Sequence, residues 1–260
     1  SAGPAGLPLP ALQRAKDELL DFGNTGMSIL EQSHRGKTYE AVHDETLTRL
    51  RALMSVPESH DILLLQGGAH LQFAMLPMCF LPAGKTADYI VTGTWSKKAM
   101  SEAKTQGPVQ AAWDGGSTNF TRVPNANELK LDPNAAYVYM TSNETIQGVQ
   151  FPTEPYFGNT PVICDSSSDF LSRPVPVDRY GMIFACAQKN AGPSGVTVVI
   201  IRDDLIEACP SDLPSMLNYR VMAENKSLLN TPPTFAIYMV KLVTDWLLRD
   251  IGGLDKMLEL

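Results

Sequence analysis

The chain has 260 residues, 44% of them apolar and 19% charged, and a formal net charge of −7. That is the make-up of a packed protein with a substantial core, arranged as one large α/β domain or two smaller ones. No basic stripe stands ready to neutralise phosphates, which argues against a nucleic-acid partner, and no apolar run is long enough to cross a membrane.

The predicted elements alternate along the chain. "PALQRAKDELLDF" (10–22) has helical spacing, with Leu12, Leu19 and Leu20 on one face. "ETLTRLRALMSV" reads as a second helix, and "HDILLLQGGAH" as a short apolar strand ending in glycines. "HLQFAMLPMCFL" then reads as a helix that Pro77 kinks or limits. "ADYIVTGTW" is a strand closed by Trp95, and "SKKAMSEAKTQG" a helix ended by glycine. "AAYVYMTSNET", "TPVICDSSSDF", "GMIFACAQKN" and "GVTVVIIRDD" follow as four more apolar strands. "PPTFAIYMVKLVTDWLLRDIGG" closes the chain as a long helix that proline opens and glycines end.

Strands apolar throughout, alternating with helices, imply an α/β/α three-layer sandwich around a mostly parallel sheet. Cys79, Cys164, Cys186 and Cys209 match no metal-ligand spacing and read as core thiols of a reducing, cytoplasmic compartment. Matches to N-x-S/T at Asn119, Asn143 and Asn225 carry little weight without a signal peptide. The chain opens at Ser1 and stops at "DKMLEL" in helical pattern, so both ends read as cut.

Ligands of such sheets bind beyond the carboxyl ends of the strands. Four strand ends there carry polar or small residues: Gly67, Gly68, Ala69 and His70; Asn143, Glu144 and Thr145; Asp165 with three serines after it; and Lys189. The glycine turn before a helix exposes N–H groups suited to a phosphate, although an ordinary tight turn has the same look. Asp165 and Lys189 end neighbouring strand patterns, and an ion pair is the plain reading of them. The functional reading is pyridoxal phosphate chemistry, in which a lysine amine forms a Schiff base with the cofactor aldehyde and a carboxylate pairs with the pyridinium nitrogen. Trp95 would supply the aromatic that stacks on the ring.

The segments "SAGPAGLP", "GMSILEQSHRGK", "LLLQGGAHLQFAMLP", "ADYIVTGTWSKKA", "SNETIQGV", "CDSSSDFLSRPV", "FACAQKNAGPSGVTVVIIRDDL" and "LLNTPPTFAIYM", in this order, resemble the phosphoserine aminotransferases. These are class V members of the fold-type I pyridoxal phosphate enzymes. The resemblance implies that residues 1–260 are the large cofactor-binding domain, with the family's C-terminal small domain lacking. It implies a homodimer that transfers the amino group of glutamate to 3-phosphohydroxypyruvate, for serine biosynthesis and, in some bacterial relatives, pyridoxine biosynthesis. It gives Lys189 as the Schiff-base lysine and proton carrier, Asp165 as the partner of the pyridinium nitrogen and Trp95 as the stacking ring. Thr145 matches a contact near the phenolic oxygen. Ala69, His70 and Gln188 match positions around the phosphate. Asn230 and Thr231 match a loop reaching the partner subunit's cofactor phosphate, and His34 and Arg35 match substrate-binding positions.

Two departures stand out: His70 occupies a place where some members carry arginine, and "DDLIEACPSDLPSMLNYR" is shorter than usual. Two alternatives remain at this point. One is another class V enzyme such as an alanine–glyoxylate aminotransferase, since no cysteine has the setting a desulfurase needs. The other is a catalytically incomplete fragment acting as a cofactor-binding or assembly module, against which the intact Lys189 and Asp165 argue.

Overall fold

Apolar runs of Val, Ile, Leu and Tyr too short for helices become the strands of a central sheet, and longer periodic runs cover it. A computed structural model describes residues 3–154 and 156–260; Ser1 and Ala2 of the opening "SAGPAGLP" lie outside them. In chain order the principal elements are α1 (Leu9–Asp17), α2 (Lys37–Met54), β1 (His60–Leu65), α3 (Gly68–Phe80), β2 (Ala87–Val91), α4 (Thr94–Ala103), β3 (Val109–Asp114) and β4 (Val138–Thr141). There follow β5 (Asn143–Glu144), β6 (Val149–Gln150), β7 (Val162–Asp165), β8 (Met182–Cys186), β9 (Thr197–Arg202), α5 (Asp203–Ala208), α6 (Tyr219–Glu224), α7 (Thr234–Trp246) and α8 (Leu254–Leu258).

Seven strands form one sheet in the order β1-β9-β8-β7-β4-β2-β3, while β5 and β6 make a separate two-stranded hairpin. β3, β2, β4, β7 and β8 are mutually parallel, and β9 runs antiparallel to both its neighbours, β8 and β1. The expected mostly parallel sheet is therefore present, with one strand reversed. The pleat sends alternate side chains to opposite faces. Ile62 and Leu64 join α1, α2 and α7 on one side, and Leu63 and Leu65 join α3 to α6 on the other.

Three expectations need correction. The first helix ends at Asp17 rather than running to Phe22, and its buried face is Ala11 and Ala15. Leu12, Leu19 and Leu20 are exposed; the small alanines lie inward because α1 packs closely on α7. The second helix starts at Lys37, a full two turns before the segment read from sequence. Polar His43 and Thr46 sit on its buried face and interrupt the apolar period there. β3, "VQAAWD", was not foreseen, because this edge strand carries Gln and two Ala instead of β-branched residues. The closing helix behaves as expected: Ala236 to Thr244 are all buried, and Gly252, at φ 91°, ends the π-turn that follows.

Phe184, in the middle of β8, is fully buried, its ring centroid 6.3 Å from that of Phe73 and 6.5 Å from that of Tyr139. Phe184→Ala should destabilise the chain by about 3–5 kcal/mol through the cavity it leaves. Leu20→Ala, at 85% exposed, should stay within about 0.5 kcal/mol of the parent. Urea denaturation of both variants checks the pair, and a large loss for Leu20→Ala would restore the leucine face of the first helix.

Candidate active site

Parallel pairing brings the carboxyl ends of β4, β7 and β8 to one edge. Thr141 of β4 stands opposite Asp165 of β7, and Asp165 opposite Phe184 of β8. Two residues past Cys186, at the end of β8, come Gln188 and then Lys189. A cavity of about 210 Å³ opens over this edge, and Asp165, Thr141, Gln188 and Lys189 line it. Gly68, Ala69, His70 and Trp95 close it from the helix side.

Asp165 is 4% exposed. Its Oδ1 accepts hydrogen bonds from the Ser167 backbone N–H at 3.0 Å and the Ser167 hydroxyl at 2.6 Å. Burial pushes its pKa up to about 6, while the bonds from Ser167 and the charge of Lys189 pull the other way. The Cys186 N–H in turn donates to Ser167 Oγ at 3.1 Å. Asp165 and Lys189 form no ion pair among the described residues, so the plain reading of the two as a structural salt bridge is not what the structure contains. Lys189 is half-buried, with its Nζ 5.7 Å from the centroid of the Trp95 ring.

Trp95 does not close a strand. β2 stops at Val91, and Trp95 lies in the first turn of α4. What fixes it there is Glu144, a fully buried carboxylate on the β5–β6 hairpin. Glu144 accepts from the Trp95 N–H at 2.9 Å, the Ser96 N–H at 2.7 Å and the Ser96 hydroxyl at 2.6 Å. It thereby satisfies the orphan donors of the helix start and places a negative charge at the positive end of the helix dipole. The next residue, Thr145, accepts from the indole Nε1–H at 3.2 Å. The hairpin thus holds Trp95 by its backbone and by its ring edge. Sequence pattern could name Glu144 as a strand end, but not a cap supplied to a helix 48 positions away.

The glycine turn has the geometry an anion needs. Gly67 takes φ +86°, and a Cβ there would lie 2.4 Å from Leu71, so only glycine fits. The Ala69 N–H, at the start of the 13-residue α3, donates to Cys186 Sγ at 3.0 Å. His70 is exposed at the rim, its ring 6.0 Å from that of Trp95 and nearly perpendicular to it. Cavity residues that the sequence reading had not singled out are Gly68's neighbour Cys186 and Thr141, whereas Ser167 and Ser168 belong to the three serines noted after Asp165.

The remaining expected residues stand apart. Asn230 is half-buried, its Oδ1 accepting from Gln66 Nε2 at 3.3 Å, and Thr231 is exposed. Arg35 is exposed in the turn before α2, and the neighbouring His34 has a buried Nε2 with no hydrogen-bond partner among the described residues. None of the four lines the cavity of its own chain.

The residues present fit pyridoxal phosphate. A buried carboxylate, an aromatic ring, an amine and a helix N-terminus surround one cavity. Thr141 Oγ1, buried on its floor, has no hydrogen-bond partner among the described residues, and such a group calls for a polar occupant.

The model of the class-V aminotransferase family matches residues 1–259. A phosphoserine aminotransferase of Niallia circulans is 51% identical over 98% of this chain and 70% of its own length. The structure of phosphoserine aminotransferase from Bacillus circulans subsp. alkalophilus superposes with a TM-score of 0.97 at 50% identity, over 100% of this chain and 72% of that one. The pyridoxal phosphate-bound enzyme of Trichomonas vaginalis gives a TM-score of 0.93 at 43% identity, over 100% and 72%.

The raised pKa of Asp165 has a consequence for stability. Between its ordinary value of 3.8 and about 6, the folded chain keeps a proton that the unfolded chain has released. Stability therefore falls as pH rises through that window, and the ionised, cofactor-free site carries a penalty of roughly 1–3 kcal/mol above it. Asp165→Asn should make the cofactor-free protein more stable at pH 7.5 by that order and flatten the slope between pH 4 and 6. The same variant should bind the cofactor more weakly. Denaturation at several pH values, without cofactor, checks the sign.

Proposed function

The chain belongs to the class-V aminotransferase family, and from that premise we propose that it catalyses reversible amino transfer from glutamate to 3-phosphohydroxypyruvate, giving phosphoserine and 2-oxoglutarate. The observation that carries the mechanism is the placement of Asp165 and Lys189 at the ends of adjacent parallel strands, on one cavity with Trp95.

Pyridoxal phosphate supplies an aldehyde carbon that captures amines and a ring that withdraws electrons from the bond being broken. We infer the following roles for the side chains around it. Asp165, ionised, would pair with the ring nitrogen and hold a proton there. Ser167 keeps that carboxylate oriented through its two bonds. Trp95 covers one face of the ring and excludes water from it, with Thr145 beside the indole. The Ala69 N–H, which donates to the Cys186 thiol, and the neighbouring Gly68 N–H would hold the phosphate, helped by the α3 dipole, with His70 and Gln188 flanking. Lys189 would hold the cofactor through its amine. Its Nζ, when free, would be the group that takes up and returns the proton of the amino acid's α-carbon. One amine serves both ends because it sits between them, and the second half-reaction retraces the path with the keto acid.

We read residues 1–260 as the large cofactor-binding domain of such an enzyme. We also infer a homodimer. His34, Arg35, Asn230 and Thr231 do not line their own cavity, so the roles their segments suggest, on substrate and on phosphate, require the cavity of a second copy. The four buried free thiols support a reducing, cytoplasmic setting. Among the described residues no helix is long and apolar enough to cross a membrane.

Two substitutions test the reading. Lys189→Ala should abolish borohydride-stable labelling by the cofactor and nearly all transamination; labelling of a different lysine at full occupancy would move the assignment. Arg35→Ala should reduce kcat/KM for phosphoserine by about 2–4 kcal/mol in transition-state terms, through loss of a charge-assisted fork in a partly desolvated site. Arg35→Lys should recover only part of that loss. Unchanged kcat/KM for both phosphoserine and glutamate would remove Arg35 from the site.

A further inference from the structure

The segment from Gly3 to Leu7 runs across the stem of Lys189. The Ala5 N–H donates to the Gln188 carbonyl at 3.0 Å, which ties the segment to the residue just before the lysine. Gly3 lies against the lysine side chain. A Cβ built there would lie 2.7 Å from Lys189 Cδ, 3.2 Å from Cε and 3.6 Å from the Gln188 carbonyl. Gly3 also has φ +66°. The backbone at this point acts as a flat rail along the lysine side chain, and glycine is what allows it to lie so near.

We propose that Gly3 is a positioning residue for Lys189: it fixes the track along which the lysine stem carries its amine over the reacting carbons. The inference rests on the assignment of Lys189 as the catalytic amine. Its physical basis is which group must yield. The atoms a new methyl would meet first belong to the flexible end of Lys189, so the lysine moves rather than the sheet. Cδ must retreat by about 0.7 Å to reach ordinary contact at 3.4 Å. Nζ is two bonds further along and is displaced with it. A displacement of that order at a proton-transferring group lowers the rate by up to about 100-fold, while substrate binding elsewhere in the cavity is unaffected. Gly6, three residues along the same segment, gives the control, because a Cβ added there meets nothing within 4 Å.

The test uses the full chain with cofactor. Gly3→Ala should lower kcat by about 10- to 100-fold with KM for glutamate within about twofold, and should shift the visible absorption band of the bound cofactor or its pH midpoint. Gly3→Asn should do the same. Asn tolerates positive φ where Ala does not, so recovery in Gly3→Asn would mean that backbone strain is responsible and would overturn the proposal. Gly6→Ala should match the parent in every readout. In a Lys189→Ala background, adding Gly3→Ala should leave cofactor affinity, read from the quenching of tryptophan emission, unchanged; a further loss would show that Gly3 acts on the cofactor directly and overturn the proposal. If Lys189→Ala is inactive while Gly3→Ala keeps the parent's kcat and spectrum, the positioning role alone falls. If Lys189→Ala itself transaminates, the lysine assignment falls and takes this role with it.

Discussion

A carboxylate buried at the end of β7, with no ion pair among the described residues, is the constraint on which the rest of the site depends. Desolvation of Asp165 is unfavourable in the bare protein, as its pKa near 6 records. The fold tolerates this because two bonds from Ser167 offset part of it, and those bonds are built into the turn immediately after the strand. The same serine oxygen receives the Cys186 N–H of β8, and the Cys186 thiol receives the N–H of Ala69 at the start of α3. One chain of hydrogen bonds thus links the carboxylate at one end of the cavity to the anion cradle at the other. The separation between these two groups is set by the spacing of β7 and β8, which a parallel ladder holds fixed.

The order of strands supplies the rest of the geometry. β4, β7 and β8 are adjacent and point the same way, so Thr141, Asp165 and the β8 turn converge without any long connection having to be placed precisely. β9 reverses direction after a ten-residue connection, with Cys186 paired to Thr197. That return leaves Lys189 on a loop anchored at both ends, the Ala187 N–H donating to the Val196 carbonyl at 3.0 Å. Trp95 is held differently, by a buried hairpin acid at a helix start, and so the ring wall can be rigid although it lies outside the sheet.

What the sequence made legible followed from local chemistry. Val, Ile and Tyr runs named the inner strands, polar residues after them named Asp165 and Lys189, and paired glycines named the cradle. What escaped it depended on partners far along the chain. Trp95 looked like a strand end because "YIVTGTW" is β-favouring up to its glycine, and only the Glu144 cap shows that the helix has already begun. Leu12, Leu19 and Leu20 made a convincing apolar face, yet the helix turned two alanines toward α7 because close packing there has no room for leucine. Thr141 gave no signal at all, being one residue in an apolar strand, until the register set it opposite Asp165.

The four residues that stand away from the cavity suggest how such a site can be assembled in stages. The residues that line the cavity, from Gly68 to Lys189, are supplied by one continuous α/β layer of a single chain. His34 and Arg35 lie on a turn that does not line the cavity, where Arg35 is exposed and makes no ion pair among the described residues. Separating the two sets has a physical advantage. A cationic fork placed permanently beside Lys189 would disfavour protonated amine, and next to the cradle it would compete with the helix dipole for the same phosphate. Keeping the fork on a different surface lets each anion site be built without perturbing the other.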